Sequence, residues 1–124
     1  MKVFYWSPFF SNIATIKAVL NSAESLIKYS KKDEYEVGII NSIGEWNPYK
    51  IISTNKIQFK DFTNTDISKS LPKGGFFKSR LSYFFIFFFN FFKLLKLINT
   101  EKPDYLIIHL ITSLPILLSP LFNR

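Results

Sequence analysis

The chain has 124 residues, 48% hydrophobic and 19% aromatic, with 15 Phe and no Cys. That composition excludes a disordered tail, a disulfide scaffold and any thiolate metal site, and it fits one small domain or part of a larger one. The formal net charge of +7 is unevenly placed: residues 1–68 carry 8 basic and 7 acidic side chains, whereas residues 69–124 carry 8 and 2.

Met1-Lys2 is followed only by "VFYWS" before Pro8, too short for the apolar core of a signal peptide. Instead "KVFYW" (Lys2–Trp6) reads as a first strand, apolar enough to be buried on both faces. "SPFFSN" (Ser7–Asn12) is a loop broken by Pro8, and Ser11 or Asn12 can cap the next helix. In Ile13–Ser30 the apolar residues Ile16, Val19, Leu20, Ala23, Leu26 and Ile27 recur at helical steps, while Lys17, Asn21, Glu24 and Lys28 share the opposite face. After a charged turn, Tyr35–Ile40 is a second strand, so the first forty residues form a βαβ unit with parallel strands. Asn41–Lys50 is a loop containing Gly44 and Asn47-Pro48. Ile51–Phe62 holds one or two short strands, and Thr63–Gly75 is a polar loop. Phe76–Asn99 reads as one long helix stopped by Pro103, Tyr105–His109 as a buried strand, and Leu110–Phe122 as a loop and apolar helix capped by Ser113. The fold class is therefore α/β: an open parallel Rossmann-like sheet with helices on both faces.

In such sheets ligands bind beyond the carboxyl ends of the strands. Three segments lie there: Ser7–Asn12, Asn41–Asn47 and His109–Ser113. His109 is the sole His, with Thr112 and Ser113 just beyond it, and an imidazole there can hydrogen-bond a hydroxyl or act as a base. The duller reading is a structural His bonded to nearby backbone. The loop before the first helix has no glycine, so it is neither a dinucleotide fingerprint nor a P-loop. Glu45 can reach a sugar hydroxyl from the second loop, although a solvated Glu is the plainer expectation. Lys73-Gly74-Gly75 reads as a hinge before the long helix. There is no nucleophile–base pair and no metal-ligand motif, and neither metal nor cofactor is expected.

"KVFYWSPFFSNIATIKAVLNSAESL", with "YEVGIINSIGEW" and then "EKPDYLIIHLITSLPILL" after it, resembles the N-terminal part of family-4 glycosyltransferases. The resemblance covers most of Met1–Phe122, and Lys102-Pro103-Asp104 leading to His109 is its most specific segment. It implies the GT-B architecture, in which an acceptor-side Rossmann-like domain faces a second domain that holds the nucleotide-sugar donor. It also implies that Pro8–Asn12 approaches donor phosphates and acceptor, and that His109 contacts the sugar. Where family members commonly have glycine in that first loop, this chain has Ser11 and Asn12. The implied partners are a nucleotide-sugar donor, bound only with the second domain, and a glycan or lipid-linked acceptor, as in cell-envelope polysaccharide biosynthesis. On this reading residues 1–124 are an incomplete N-terminal domain, inactive alone.

The stretch "RLSYFFIFFFNFFKLLK" (Arg80–Lys96) carries seven Phe. Leu81–Phe92 is twelve residues, about 18 Å of helix, against a hydrocarbon core of about 30 Å. Asn90, Lys93 and Lys96 further disfavour a single-pass span. Lys78, Ser82, Phe85, Phe89, Lys93 and Lys96 succeed one another at steps of three and four, which reads as an exposed stripe flanked by Ile86. Phe84, Phe87, Phe88, Phe91, Leu95 and Ile98 are then left to pack on the sheet. The expected membrane contacts are Lys78, Arg80, Phe85, Phe89, Lys93 and Lys96, on a peripheral protein at the anionic cytoplasmic face of the cell membrane. Another protein surface over Phe85 and Phe89 is the competing reading. Cations interleaved with Phe argue against nucleic acid. The alternative to an enzyme is a small non-enzymatic membrane-associated protein anchored by Phe76–Asn99.

Overall fold

A computed structural model describes residues 1–9, 14–31, 34–53, 56–109 and 120. Its elements are β1 (Lys2–Trp6), α1 (Ala14–Tyr29), β2 (Glu36–Asn41), β3 (Ile57–Asp61), α2 (Phe76–Glu101) and β4 (Tyr105–Ile108), with single 3₁₀ turns at Asn47–Tyr49 and Ser68–Ser70. The four strands form one parallel sheet in the order β3-β2-β1-β4. This is an open Rossmann-like α/β sheet, as the alternation of apolar strands and amphipathic helices predicts. Apart from residue 120, the expected helix in 110–122 lies outside the described residues, as do Ser11, Asn12, Thr112 and Ser113.

Strand alternation sends side chains to two separate cores. Val3, Tyr5, Val37, Ile39 and Ile57 meet Ile16, Val19 and Ala23 of α1. On the other face, Phe4, Trp6 and Ile40 meet Phe87 and Leu94 of α2. The central strands are thus covered on both sides, which is why β1 and β2 read as continuous apolar runs rather than alternating ones. Phe4 lies opposite Gly38 in the β1–β2 register, and a Cβ at that glycine would sit 2.7 Å from the Phe4 ring. Gly38 is therefore the space that the Phe4 ring occupies.

α2 has 26 residues, about 39 Å, and runs two residues past the expected end at Asn99. Lys102 closes it in a left-handed conformation (φ 46°), its N–H bonding the Ile98 carbonyl, and Pro103 prevents continuation. Glu101 binds Lys2 (3.2 Å) and Lys60 (2.9 Å), tying the helix end to β1 and β3. The Lys60 and Lys2 ammonium groups hold the Glu101 carboxyl below its usual range.

The phase of α2 differs from the expectation. Its buried residues are Ser82, Tyr83, Ile86, Phe87, Asn90 and Leu94. Ser82 and Ile86, expected on or beside the exposed stripe, are buried; Phe84 and Phe88, expected on the sheet, are exposed. The reason is local hydrogen bonding. Ser82 Oγ donates to the Pro72 carbonyl at 2.7 Å, and Asn90 Nδ2 donates to the Ile86 carbonyl at 2.9 Å. Both polar side chains find backbone acceptors inside the structure, so their polarity does not mark the solvent face.

Candidate functional site

The carboxyl ends of β1, β2 and β4 bring two of the predicted loop segments together. His109 comes directly after β4, and its backbone N–H bonds the Trp6 carbonyl at 3.0 Å, continuing the β1–β4 ladder by one residue. That places the imidazole beside the first residue after β1. Ser7 Oγ and His109 Nδ1 share a hydrogen bond of 3.0 Å. Ser7 is buried, whereas His109 is exposed. The pair therefore fixes one ring nitrogen and leaves the other face of the imidazole open. A ring held in this way presents a defined hydrogen-bonding edge to a ligand hydroxyl.

The loop after β2 is a polar cluster that the sequence pattern largely conceals. Asn41, at the end of β2, is fully buried. Its amide nitrogen donates to Asn47 Oδ1 (2.8 Å) and Asp61 Oδ1 (2.6 Å), and its oxygen accepts from the Trp46 backbone N–H (3.0 Å). Asp61 in turn receives Lys50 Nζ at 2.6 and 2.8 Å. Trp6 Nε1 donates to Ser42 Oγ, joining this loop to β1.

Glu45 sits inside the cluster and is only 3% exposed, which corrects the expectation of a solvated side chain. Its carboxylate accepts the Ile43 N–H at 2.7 Å and the Ser42 N–H at 3.2 Å. Burial pushes its pKa up from 4.5 to about 7; the backbone amides of Ile43, Glu45 and Ser42 oppose that shift and the nearby Asp66 carboxylate adds to it. The spacing Ser42-x-x-Glu45 is that of a capping box, and this signal in the sequence foretells a Glu folded back onto backbone amides. Gly44 makes the reversal: its φ is +85°, and a Cβ there would lie 2.6 Å from the Asp66 Cα. In this arrangement Glu45 shapes the loop and does not face solvent.

The predicted membrane contacts Lys78, Arg80, Phe85, Phe89, Lys93 and Lys96 are all exposed along α2. Phe85 and Phe89 stack at 5.5 Å. A concavity of about 580 Å³, lined by residues that include Met1, Tyr35, Glu36 and Gln58, lies at the opposite, amino end of the sheet, away from His109. Among the described residues no group of three or more His, Asp or Glu side chains is placed to hold a metal ion.

Set against known proteins, the chain matches no family model, no curated protein and no solved structure.

Proposed function

We propose that this chain is the acceptor-side part of a GT-B glycosyltransferase working at the cytoplasmic face of a membrane. The observation that carries the reading is the Ser7–His109 pair, one buried hydroxyl orienting one exposed imidazole at the carboxyl edge of a parallel sheet. That is the edge where open α/β sheets receive ligands. On this reading His109 hydrogen-bonds a hydroxyl of the acceptor or transferred sugar, and the Asn41–Asn47 loop forms the neighbouring wall. In GT-B enzymes of the kind resembled, the nucleotide-sugar donor is held mainly by a second Rossmann-like domain.

The reading is tested by titrating the purified chain with acceptor glycans and short-chain lipid-linked saccharides while monitoring the His109 imidazole by NMR. A saturable shift of the His109 resonances, lost in Ser7→Ala, is expected. His109 resonances unmoved by every acceptor would overturn the enzyme reading.

A second reading, a non-enzymatic membrane anchor protein, is favoured by one observation. α2 is long and apolar enough to cross a bilayer, yet only a third of its most apolar window is buried.

A further inference from the structure

The outward face of α2 carries far more apolar surface than the Phe85–Phe89 pair. Phe77, Leu81, Phe84, Phe88 and Phe92 succeed one another at steps of four, three, four and four and are all exposed, Phe92 to 78% and Phe88 to 61%. Phe85 and Phe89 lie beside them, so the face forms a ridge about 22 Å long from Phe77 to Phe92. Isolated exposed apolar residues are ordinary; a continuous aromatic ridge marks a binding surface.

Charge decides the occupant. Lys78 and Arg80 stand at one end of the ridge and Lys93 and Lys96 at the other, all exposed. Arg80 lies 3.9 Å over the Phe76 ring and Lys93 4.9 Å over Phe89, so these cations border the aromatic surface directly. The one acidic residue of α2, Glu101, is engaged by Lys2 and Lys60. A second copy of the chain is a poor fit, since parallel or antiparallel pairing sets cations against cations. An anionic bilayer supplies what both parts require: an apolar phase for the rings and phosphates for the cations.

The fold also decides how the helix sits. Ile86, Phe87 and Leu94 are fully buried on the opposite face, against the sheet or the loop after β2. A spanning α2 would drag the polar loop and the sheet into hydrocarbon. The helix must therefore lie in the membrane plane. Its direction is set by contacts. Glu101 meets Lys2 at the amino end of β1, Phe87 meets Trp6 at the carboxyl end, and Tyr83 and Ile86 pack with Ile43 just beyond β2. Residues before Phe87 thus extend past the strand ends, alongside the edge that carries His109.

We propose that the Phe77–Phe92 ridge of α2 seats in the interface of an anionic bilayer, in plane, and holds the His109 edge of the sheet at headgroup level. This deepens the membrane placement proposed above and rests on it for location. It requires no sugar chemistry, so vesicle binding with a silent His109 sinks only the enzyme reading, and a responsive His109 without vesicle binding sinks only this one.

The test is flotation of the purified chain with phosphatidylcholine vesicles, with and without phosphatidylglycerol. Binding is expected to require phosphatidylglycerol and to weaken with salt. Phe88→Ser and Phe92→Ser should each lower partitioning about tenfold while leaving thermal stability unchanged, because both rings are exposed. Trp reporters at one end and at the middle of the ridge, Phe77→Trp and Phe85→Trp, each read as the difference from the wild type with its native Trp6 and Trp46, should be quenched equally by shallow brominated lipids. The proposal is overturned by absence of binding to anionic vesicles, or by binding that both Ser variants retain. A Phe85→Trp reporter quenched by deep brominated lipids while Phe77→Trp stays shallow would show a span, and a dimer dissolved by Phe88→Ser would show a second copy on the ridge; either result also overturns it.

Discussion

Replacing Glu45 with Gln isolates the cost of keeping a carboxylate inside the loop after β2. The side chain is 3% exposed and its pKa is pushed from 4.5 to about 7, burial being the largest cause. A carboxyl raised in the folded state favours folding when protonated. Its contribution is full below the unfolded pKa near 4.5, declines as pH rises towards about 7, and is lost above it. At 1.36 kcal/mol per pH unit, that interval corresponds to about 3 kcal/mol. Glu45→Gln cannot ionise, and near pH 5 it resembles the protonated wild type, short of about 1 kcal/mol for one weakened amide contact. By pH 8 the variant should equal or exceed the wild type in stability, so the two profiles cross. Urea unfolding of both proteins from pH 4.5 to 8 measures the difference, and other titrating groups cancel in the subtraction. Parallel profiles, or a Glu45 carboxyl carbon titrating near 4.5 by NMR, would refute the reasoning.

Phe87→Ala should cost about 3–5 kcal/mol in urea unfolding, whereas the adjacent Phe88→Ala should change stability by less than about 0.5 kcal/mol, because only Phe87 is buried. Equal effects would mean that α2 presents a different face to the sheet. Gly38→Ala places a Cβ 2.7 Å from the Phe4 ring and should destabilise by about 1–3 kcal/mol, with Phe4→Leu in the same chain recovering part of the loss. Asn41→Ala removes both amide hydrogen bonds and leaves the buried Trp46 N–H without its acceptor; a loss of about 3 kcal/mol is expected, read as a fall in thermal midpoint. Glu101→Gln should lower the thermal midpoint at low ionic strength and much less at high salt, since its bonds to Lys60 and Lys2 are partly exposed. The Glu101 contribution runs opposite to that of Glu45. With its pKa held low, it is present above the usual carboxylate pKa and lost as pH falls through the depressed value.

The order of elements was legible in the sequence because each announces itself locally. Lys2–Trp6 is a short apolar run that a doubly covered strand buries. Tyr105–Ile108 is a second such run and does form a strand, but at the sheet edge, where Tyr105 is exposed and the rest half-buried, which corrects the expectation of a buried strand. Ala14–Tyr29 alternates apolar and polar residues at helical spacing, and Pro103 punctuates the end of α2. Parallel pairing came from chain connectivity alone. The placement of His109 at a strand end was equally readable; its partner Ser7, 102 residues away, was not, because only the pairing of β1 with β4 brings them together.

The phase of α2 was a matter for tertiary structure. A helix with Phe on every side offers almost no periodic contrast, so its orientation had to be inferred from the few polar residues. Two of those, Ser82 and Asn90, are buried with their donors taken up by the backbone carbonyls of Pro72 and Ile86, while Asn90 Oδ1 is left without a partner. The same holds for Glu45, whose charge suggests solvent but whose oxygens belong to two loop amides. Composition determined that this chain has an aromatic helix, bordered by cations, to place somewhere. Packing against the sheet decided which rings were spent on the core and which were left facing out, since a side chain's burial depends on partners that its own segment of sequence does not contain.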